Sequence, residues 1–232
     1  MKKEKKTING IPAIIWGDTS DRVFIYIHGK DSQKEYADRL AKEGISKGFQ
    51  VISFDLPKHG ERKDNDTEFI IQNCVSELKT VYNYVNNKWK EISIYASSIG
   101  AYFSLVAFEN YNIKKCLFES PILDMETLIK NMMGWFNISE KDLETKKEIT
   151  IPIGETLSWN YLTYVRENKI SKWNFDSHII YGDKDNLTER YIIDSFIKKY
   201  NVTLTLVENG EHYLHSENEI AEIDSWLNKY AI

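Results

Sequence analysis

Cysteine is scarce in this chain: Cys74 and Cys116 are the only two. Two are too few for a disulfide framework or a cysteine-built zinc site, and they fit a reduced, cytoplasmic setting. Long apolar runs are missing as well. No stretch approaches the ~18 consecutive apolar residues of a membrane span, and the basic start MKKEKK lacks the apolar segment of a secretory signal. Nor is there an excess of positive charge. The 30 Lys and Arg stand against 35 Asp and Glu, a net charge of −5, which leaves no electrostatic footprint for nucleic acid or an anionic membrane. There is no G-x-G-x-x-G, no Walker loop, no internal repeat and no low-complexity linker. The basic run Lys2–Lys6 reads as a solvated terminus rather than a binding arm.

What the chain does have is apolar residues, 42% over a length of 232, enough to bury one sizeable core. They fall into short β-branched runs separated by longer amphipathic stretches. Val23–Ile27, Val51–Phe54, Ile92–Tyr95, Cys116–Phe118, His178–Tyr181 and Thr203–Val207 are nearly continuous in apolar character, as strands covered on both faces are. Between them, residues 34–47, 68–87, 99–109, 189–199 and 217–230 carry apolar side chains at steps of three and four; Val75, Leu78, Val81, Tyr82 and Val85 are one such stripe. Alternation of this kind predicts an α/β fold, a mostly parallel central sheet flanked by helices. Thr7–Trp16 adds edge strands around an Asn9-Gly10 hairpin turn. Residues 121–176 break the rhythm. They hold Met132, Met133, Trp135, Phe136, Trp159, Tyr161, Tyr164 and Trp173, with helical spacing at 124–135 and 155–167. The expectation is one domain, its core formed by 1–120 and 177–232, with a helical insertion at 121–176.

The most informative residues are Ala96-Ser97-Ser98-Ile99-Gly100, which end a predicted strand and open a predicted helix. A nucleophile on so sharp a corner needs small residues two places before and two places after it. Ala96 and Gly100 meet that condition for Ser98; Tyr95 and Ile99 fail it for Ser97. The corner also supplies an anion site. The amide of Ile99 lies at a helix start, where donors are unpaired and the dipole favours negative charge. The loop His28-Gly29-Lys30 after the first buried strand brings a second donor, the amide of Lys30, and the pair would form an oxyanion hole.

A serine hydroxyl needs a base, and the base needs an orienting group. His212 lies in the loop after the last strand, at the same sheet edge as Ser98, and is preferred to His215 three residues on. His178 reads as structural, and His28 and His59 sit in His-Gly turns. For the acid, Gly182-Asp183-Lys184-Asp185 offers two aspartates. Asp183 directly follows the glycine and can be explained by the turn, so Asp185 is preferred; Asp124 is a third candidate.

These pieces, taken in order, resemble the α/β-hydrolase family, in particular its small bacterial serine esterases and acyl-hydrolases. The matching residues are His28-Gly29-Lys30, Asp55-Leu56-Pro57-Lys58-His59-Gly60-Glu61-Arg62, Ala96-x-Ser98-x-Gly100, Gly182-x-x-Asp185 and Gly210-x-His212, spread over residues 22–230. Ala96 departs from the family's commoner glycine and is small enough to serve. The resemblance implies Ser98 as nucleophile, His212 as base, Asp185 as its acid, and 121–176 as a cap over the active site. Trp135, Trp159 and Tyr161 of that insertion, with His28, are then the expected pocket residues. The expected activity is hydrolysis of a small to medium carboxylic ester or thioester through an acyl-enzyme. Acyltransferases, peptidases and ligand-binding sensors on the same fold are the alternatives. No cofactor or metal is expected, the partner is a small-molecule ester, and nothing distinguishes a monomer from a homodimer.

Overall fold

The computed structural model describes all residues, 1–232. The chain opens with a hairpin, β1 (Lys3–Ile8) and β2 (Ile11–Trp16), turned at Asn9 and Gly10, both with positive φ. Then follow β3 (Arg22–Ile27), α1 (Asp38–Ser46), β4 (Gln50–Phe54), α2 (Ile71–Asn86), β5 (Glu91–Ser97), α3 (Ile99–Phe108) and β6 (Lys115–Glu119). A divergent stretch carries α4 (Met125–Trp135), α5 (Glu140–Lys146), β7 (Glu148–Thr150), β8 (Thr156–Ser158) and α6 (Trp159–Glu167). The chain ends with β9 (Asp176–Gly182), α7 (Arg190–Tyr200), β10 (Thr203–Val207) and α8 (Glu217–Tyr230). No helix is long and apolar enough to cross a membrane.

Eight strands make one sheet in the order β1-β2-β4-β3-β5-β6-β9-β10, parallel from β4 to β10 and antiparallel at the β1–β2–β4 edge. Side chains alternate between its faces, as the period of two requires. Phe24, Tyr26, Tyr95 and Leu117 join Leu40 of α1 and Trp226 and Leu227 of α8 in one buried cluster. Ile27 points the other way, toward α3, which packs with α2. The six apolar runs of the sequence are all strands here, each within a residue or two of its expected ends. The lysine-rich start is solvated as expected at Lys3–Lys5, but its backbone is ordered: Lys3–Ile8 is a strand, with Ile8 buried. An edge strand that buries almost nothing carries no apolar signal, and its backbone pairing to β2 fixes it.

The chain divides into two compact units, Met1–Leu123 with Lys172–Ile232, and Asp124–Ser171. The smaller unit has three helices and a two-stranded antiparallel sheet, β7–β8, whose strands are too short to show any alternation in sequence. Arg166 ties its helices together, bonding Glu126 at 2.9 Å and Glu140 at 2.6 and 3.0 Å. The hydrogen bond from Lys130, reinforced by Arg166 against the effect of burial, pulls the Glu126 carboxyl down to about 2.

In the larger unit the loop after β4 is organised by a buried carboxylate. Asp55, fully buried, accepts from the Lys34 amide (3.0 Å), the Lys34 ammonium (2.7 Å) and the Glu61 amide (3.0 Å). Gly60 turns against it with φ of 52°. A Cβ there would fall 2.2 Å from the carboxylate oxygen, so only glycine fits. Lys34 is itself 1% exposed and also meets Glu35 and Glu61 at 3.0 Å. Burial alone would lower its pKa, but these bonds hold the ammonium above the ordinary lysine value.

Candidate active site

Ser98 stands between β5 and α3 with φ 51° and ψ −123°, a conformation that non-glycine residues avoid. Such a backbone costs on the order of 1–3 kcal/mol and persists only where its surroundings hold it. They do so here. The Ser98 amide donates to the Glu119 carbonyl at 3.0 Å, and its carbonyl accepts from Ala101 and Ile122, both at 3.1 Å. Gly100 lets α3 start against the end of β3, since a Cβ would lie 2.5 Å from the His28 carbonyl oxygen. The small-residue rule thus has a concrete cause, the closeness of two backbones.

The Ser98 Oγ lies 2.8 Å from Nε2 of His212, and Nδ1 of His212 lies 2.8 Å from Oδ2 of Asp185. A carboxylate only accepts hydrogen bonds, so Nδ1 carries the proton and Nε2 is left to accept from the Ser98 hydroxyl. Asp185 is fixed in turn, its Oδ1 accepting from the amides of Leu187 (2.8 Å) and Thr188 (3.1 Å). The other candidates are occupied elsewhere. Asp124 caps α4, accepting from the Thr127 amide and hydroxyl at 3.0 and 2.8 Å. The side chain of Asp183 is exposed, and His215 donates through Nδ1 to the Tyr213 carbonyl.

Two glycines set the distance between the loops that hold Asp185 and His212. A Cβ on Gly182 would lie 2.2 Å from the Gly210 carbonyl oxygen, which already accepts from the Lys184 amide at 2.8 Å. Gly182→Ala must therefore push backbone from backbone. The expected result is a loss of about 1–3 kcal/mol in unfolding free energy from overpacking. With it should come a fall on the order of 10²-fold in turnover for any reaction that uses the Ser98–His212 pair, because the imidazole is displaced. Denaturant unfolding and steady-state kinetics on the same preparation check both.

Ile99 supplies the first amide of α3, a position with no acceptor inside the helix. Lys30 follows Gly29, whose added Cβ would come within 3.1 Å of the Ser98 Cβ, and Lys30 and Ser98 line one cavity. That loop is held by two histidines. His28 donates from Nδ1 to the Gly29 carbonyl at 2.7 Å and accepts at Nε2 from the Leu56 amide at 3.0 Å. His59 accepts at Nε2 from the Asp31 amide at 3.0 Å.

His28 is therefore not a pocket residue. It is completely buried, with both ring nitrogens bonded to backbone, and its role is to join the loops after β3 and β4. Burial pushes its pKa down to about 4, against the opposing hydrogen bond to Gly29. The folded protein thus keeps His28 neutral where the unfolded chain would take up a proton near pH 6.5. Stability should fall as pH drops from about 6.5 to about 4, by roughly 2–3 kcal/mol from this group. The His28 ring resonances should stay unshifted above pH 5 in NMR titration, while urea unfolding reports the loss.

A cavity of about 640 Å³ opens beside Ser98 and His212. Its lining comes from the larger unit alone and includes Lys30, Arg39, Tyr26, Tyr36, Tyr95, Glu119 and Ser120. Trp135, Trp159 and Tyr161, the other expected pocket residues, belong to the smaller unit, and Trp135 is exposed. The polar floor was missed in the sequence. A charged residue ending an apolar strand at the edge that carries Ser98, as Glu119 does, is the signal that could have found it.

No protein-family model and no curated protein matches this chain. Solved structures do. Est1E from Butyrivibrio proteoclasticus, in a structure with ferulic acid bound, superposes with a TM-score of 0.77 at 17% identity over 97% of this chain and 96% of its own. For the alpha/beta hydrolase domain-containing protein 10 from mouse the TM-score is 0.75 at 15% identity, over 99% and 98%. The fold is that of the α/β-hydrolases. An esterase from Pyrococcus furiosus superposes on the same α/β-hydrolase framework with a TM-score of 0.69 at 17% identity, over 98% of this chain and 88% of its own.

Proposed function

We propose that the protein is a serine hydrolase acting on a carboxylic ester or thioester through an acyl-enzyme. The observation that carries this reading is the unbroken relay Ser98–His212–Asp185, with both links at 2.8 Å, built on a strained strand-to-helix corner. Ser98 attacks the substrate carbonyl carbon while His212 takes the hydroxyl proton on Nε2. The resulting oxyanion is held by the amides of Ile99 and Lys30. Collapse expels the alcohol or thiol, which receives the proton from His212. Water then attacks the acyl-enzyme with His212 again as base, releasing the acid and restoring the Ser98 hydroxyl. Asp185 keeps the imidazole in the productive tautomer and stabilises its charged form. The scheme draws on no metal or cofactor and suits a cytoplasmic enzyme.

The test is covalent. A fluorophosphonate should add to one residue, Ser98, as mapped on the tryptic peptide by mass spectrometry, and hydrolysis of p-nitrophenyl butyrate should stop in step with labelling. Adduct on another residue, or full activity after complete labelling of Ser98, would overturn the assignment.

A further inference from the structure

The floor of the cavity beside Ser98 is built from polar groups that the reaction scheme does not use. Glu119 ends β6 in register with Ser97, and its Oε2 accepts a short hydrogen bond from the Tyr95 hydroxyl. Its second oxygen, Oε1, accepts no hydrogen bond from the protein. Tyr95 is braced by Tyr26, stacked at 5.4 Å and 17°. The next residue, Ser120, is 3% exposed, lines the same cavity, and its Oγ has no hydrogen-bond partner. It is held at φ 42°, in the left-handed region that a serine rarely adopts. A buried hydroxyl left unmatched costs about 1–3 kcal/mol, so this arrangement leaves both a donor and an acceptor waiting on one wall.

We propose that Glu119, Tyr95 and Ser120 form a recognition site for a hydroxylated arm of the ester, a refinement that rests on the hydrolase reading above. A hydroxyl both donates and accepts, so it can give its proton to Glu119 Oε1 and take one from Ser120 Oγ. Other chemistries fit less well. An apolar arm would leave Ser120 Oγ and Glu119 Oε1 without partners. The lining mixes Lys30 and Arg39 with Asp31, Asp38 and Glu119, so neither a carboxylated nor a cationic arm meets a wall of one opposite sign. Burial, opposed by Arg39 and His212, pushes the Glu119 pKa up to about 7, in keeping with a carboxyl enclosed in a wall rather than on the surface.

The experiment compares p-nitrophenyl acyl esters and alkyl butyrates with arms of six to eight carbons. Each is offered with a terminal hydroxyl and with a methyl in its place. In the wild type at least one hydroxylated ester should exceed its methyl partner about tenfold in kcat/KM, the worth of one good hydrogen bond to a charged group. Glu119→Leu, Ser120→Ala and Tyr95→Phe should each bring that ratio toward one. A loss of fold would lower both partners together and leave the ratio alone. Wild-type ratios within twofold of unity across the set overturn the recognition site while leaving the hydrolase intact. Absence of any hydrolysis, with no fluorophosphonate on Ser98, overturns the hydrolase reading itself.

Discussion

Ser98→Ala is expected to lower kcat for p-nitrophenyl butyrate by roughly 10⁴–10⁶-fold while leaving the unfolding transition close to that of the wild type. In the proposed mechanism the hydroxyl oxygen is the attacking atom, and alanine has no oxygen with which to attack the carbonyl carbon. The remaining rate would come from the amides of Ile99 and Lys30 and from substrate binding. Alanine removes only the Oγ–Nε2 bond of 2.8 Å at the end of a strand whose packing lies elsewhere. The relay acts as a unit, so Ser98→Ala combined with His212→Ala should be scarcely slower than either alone. Pre-steady-state and steady-state kinetics with circular dichroism measure all of this. A single variant retaining more than a tenth of wild-type kcat would exclude Ser98 as the nucleophile.

Asp55→Ala is expected to have the largest effect on stability, on the order of 3–5 kcal/mol in denaturant unfolding. The carboxylate is fully buried and holds the Lys34 ammonium, the Lys34 amide and the Glu61 amide together. Its removal leaves the buried Lys34 amide and the part-buried Glu61 amide unmatched, and an ammonium that is 1% exposed with only Glu35 and Glu61 to face. Pairing Asp55→Leu with Lys34→Met should recover part of the loss, because the stranded charge is then gone as well. If the double variant is no better than the single, the cost lies in the turn around Gly60 rather than in the ion pair.

How much of this was legible in sequence depended on whether a residue's signal was local. The buried strands announced themselves because a parallel sheet covered on both faces leaves few polar positions, Ser53 and Ser93 among them; β10 differs, an edge strand in which only Val207 is buried. Ser98 was legible because steric crowding at its corner restricts residues only two places away. Asp185 and His212 followed from chain order and from the strand edge they share with Ser98. By contrast, β1 hid behind lysines because its stability comes from backbone pairing. The Glu119–Tyr95–Ser120 wall hid because it depends on register: Ser97 beside Glu119, and Tyr95 beside Leu117 on the same ladder. No window of a few residues contains that information. His28 was misplaced for a related reason. Its His-Gly dipeptide marks a turn, but only the contact with Leu56, 28 positions along the chain, says that the ring is a clamp.

The relay joins residues far apart in the order of synthesis, 114 positions between Ser98 and His212 and 27 between Asp185 and His212. A polypeptide leaves the ribosome from its N-terminus, and its parts begin to fold as they emerge. The corner that carries Ser98 is closed once Glu119 and Ile122 have been made, just past the middle of the chain, while His212 is still to come. The seat for His212 is finished only when β9 and β10 have joined the sheet and Gly210 has settled against Gly182. On the proposed mechanism a chain that stops short of His212 has a serine without its base, and the relay can form only after that residue has been made.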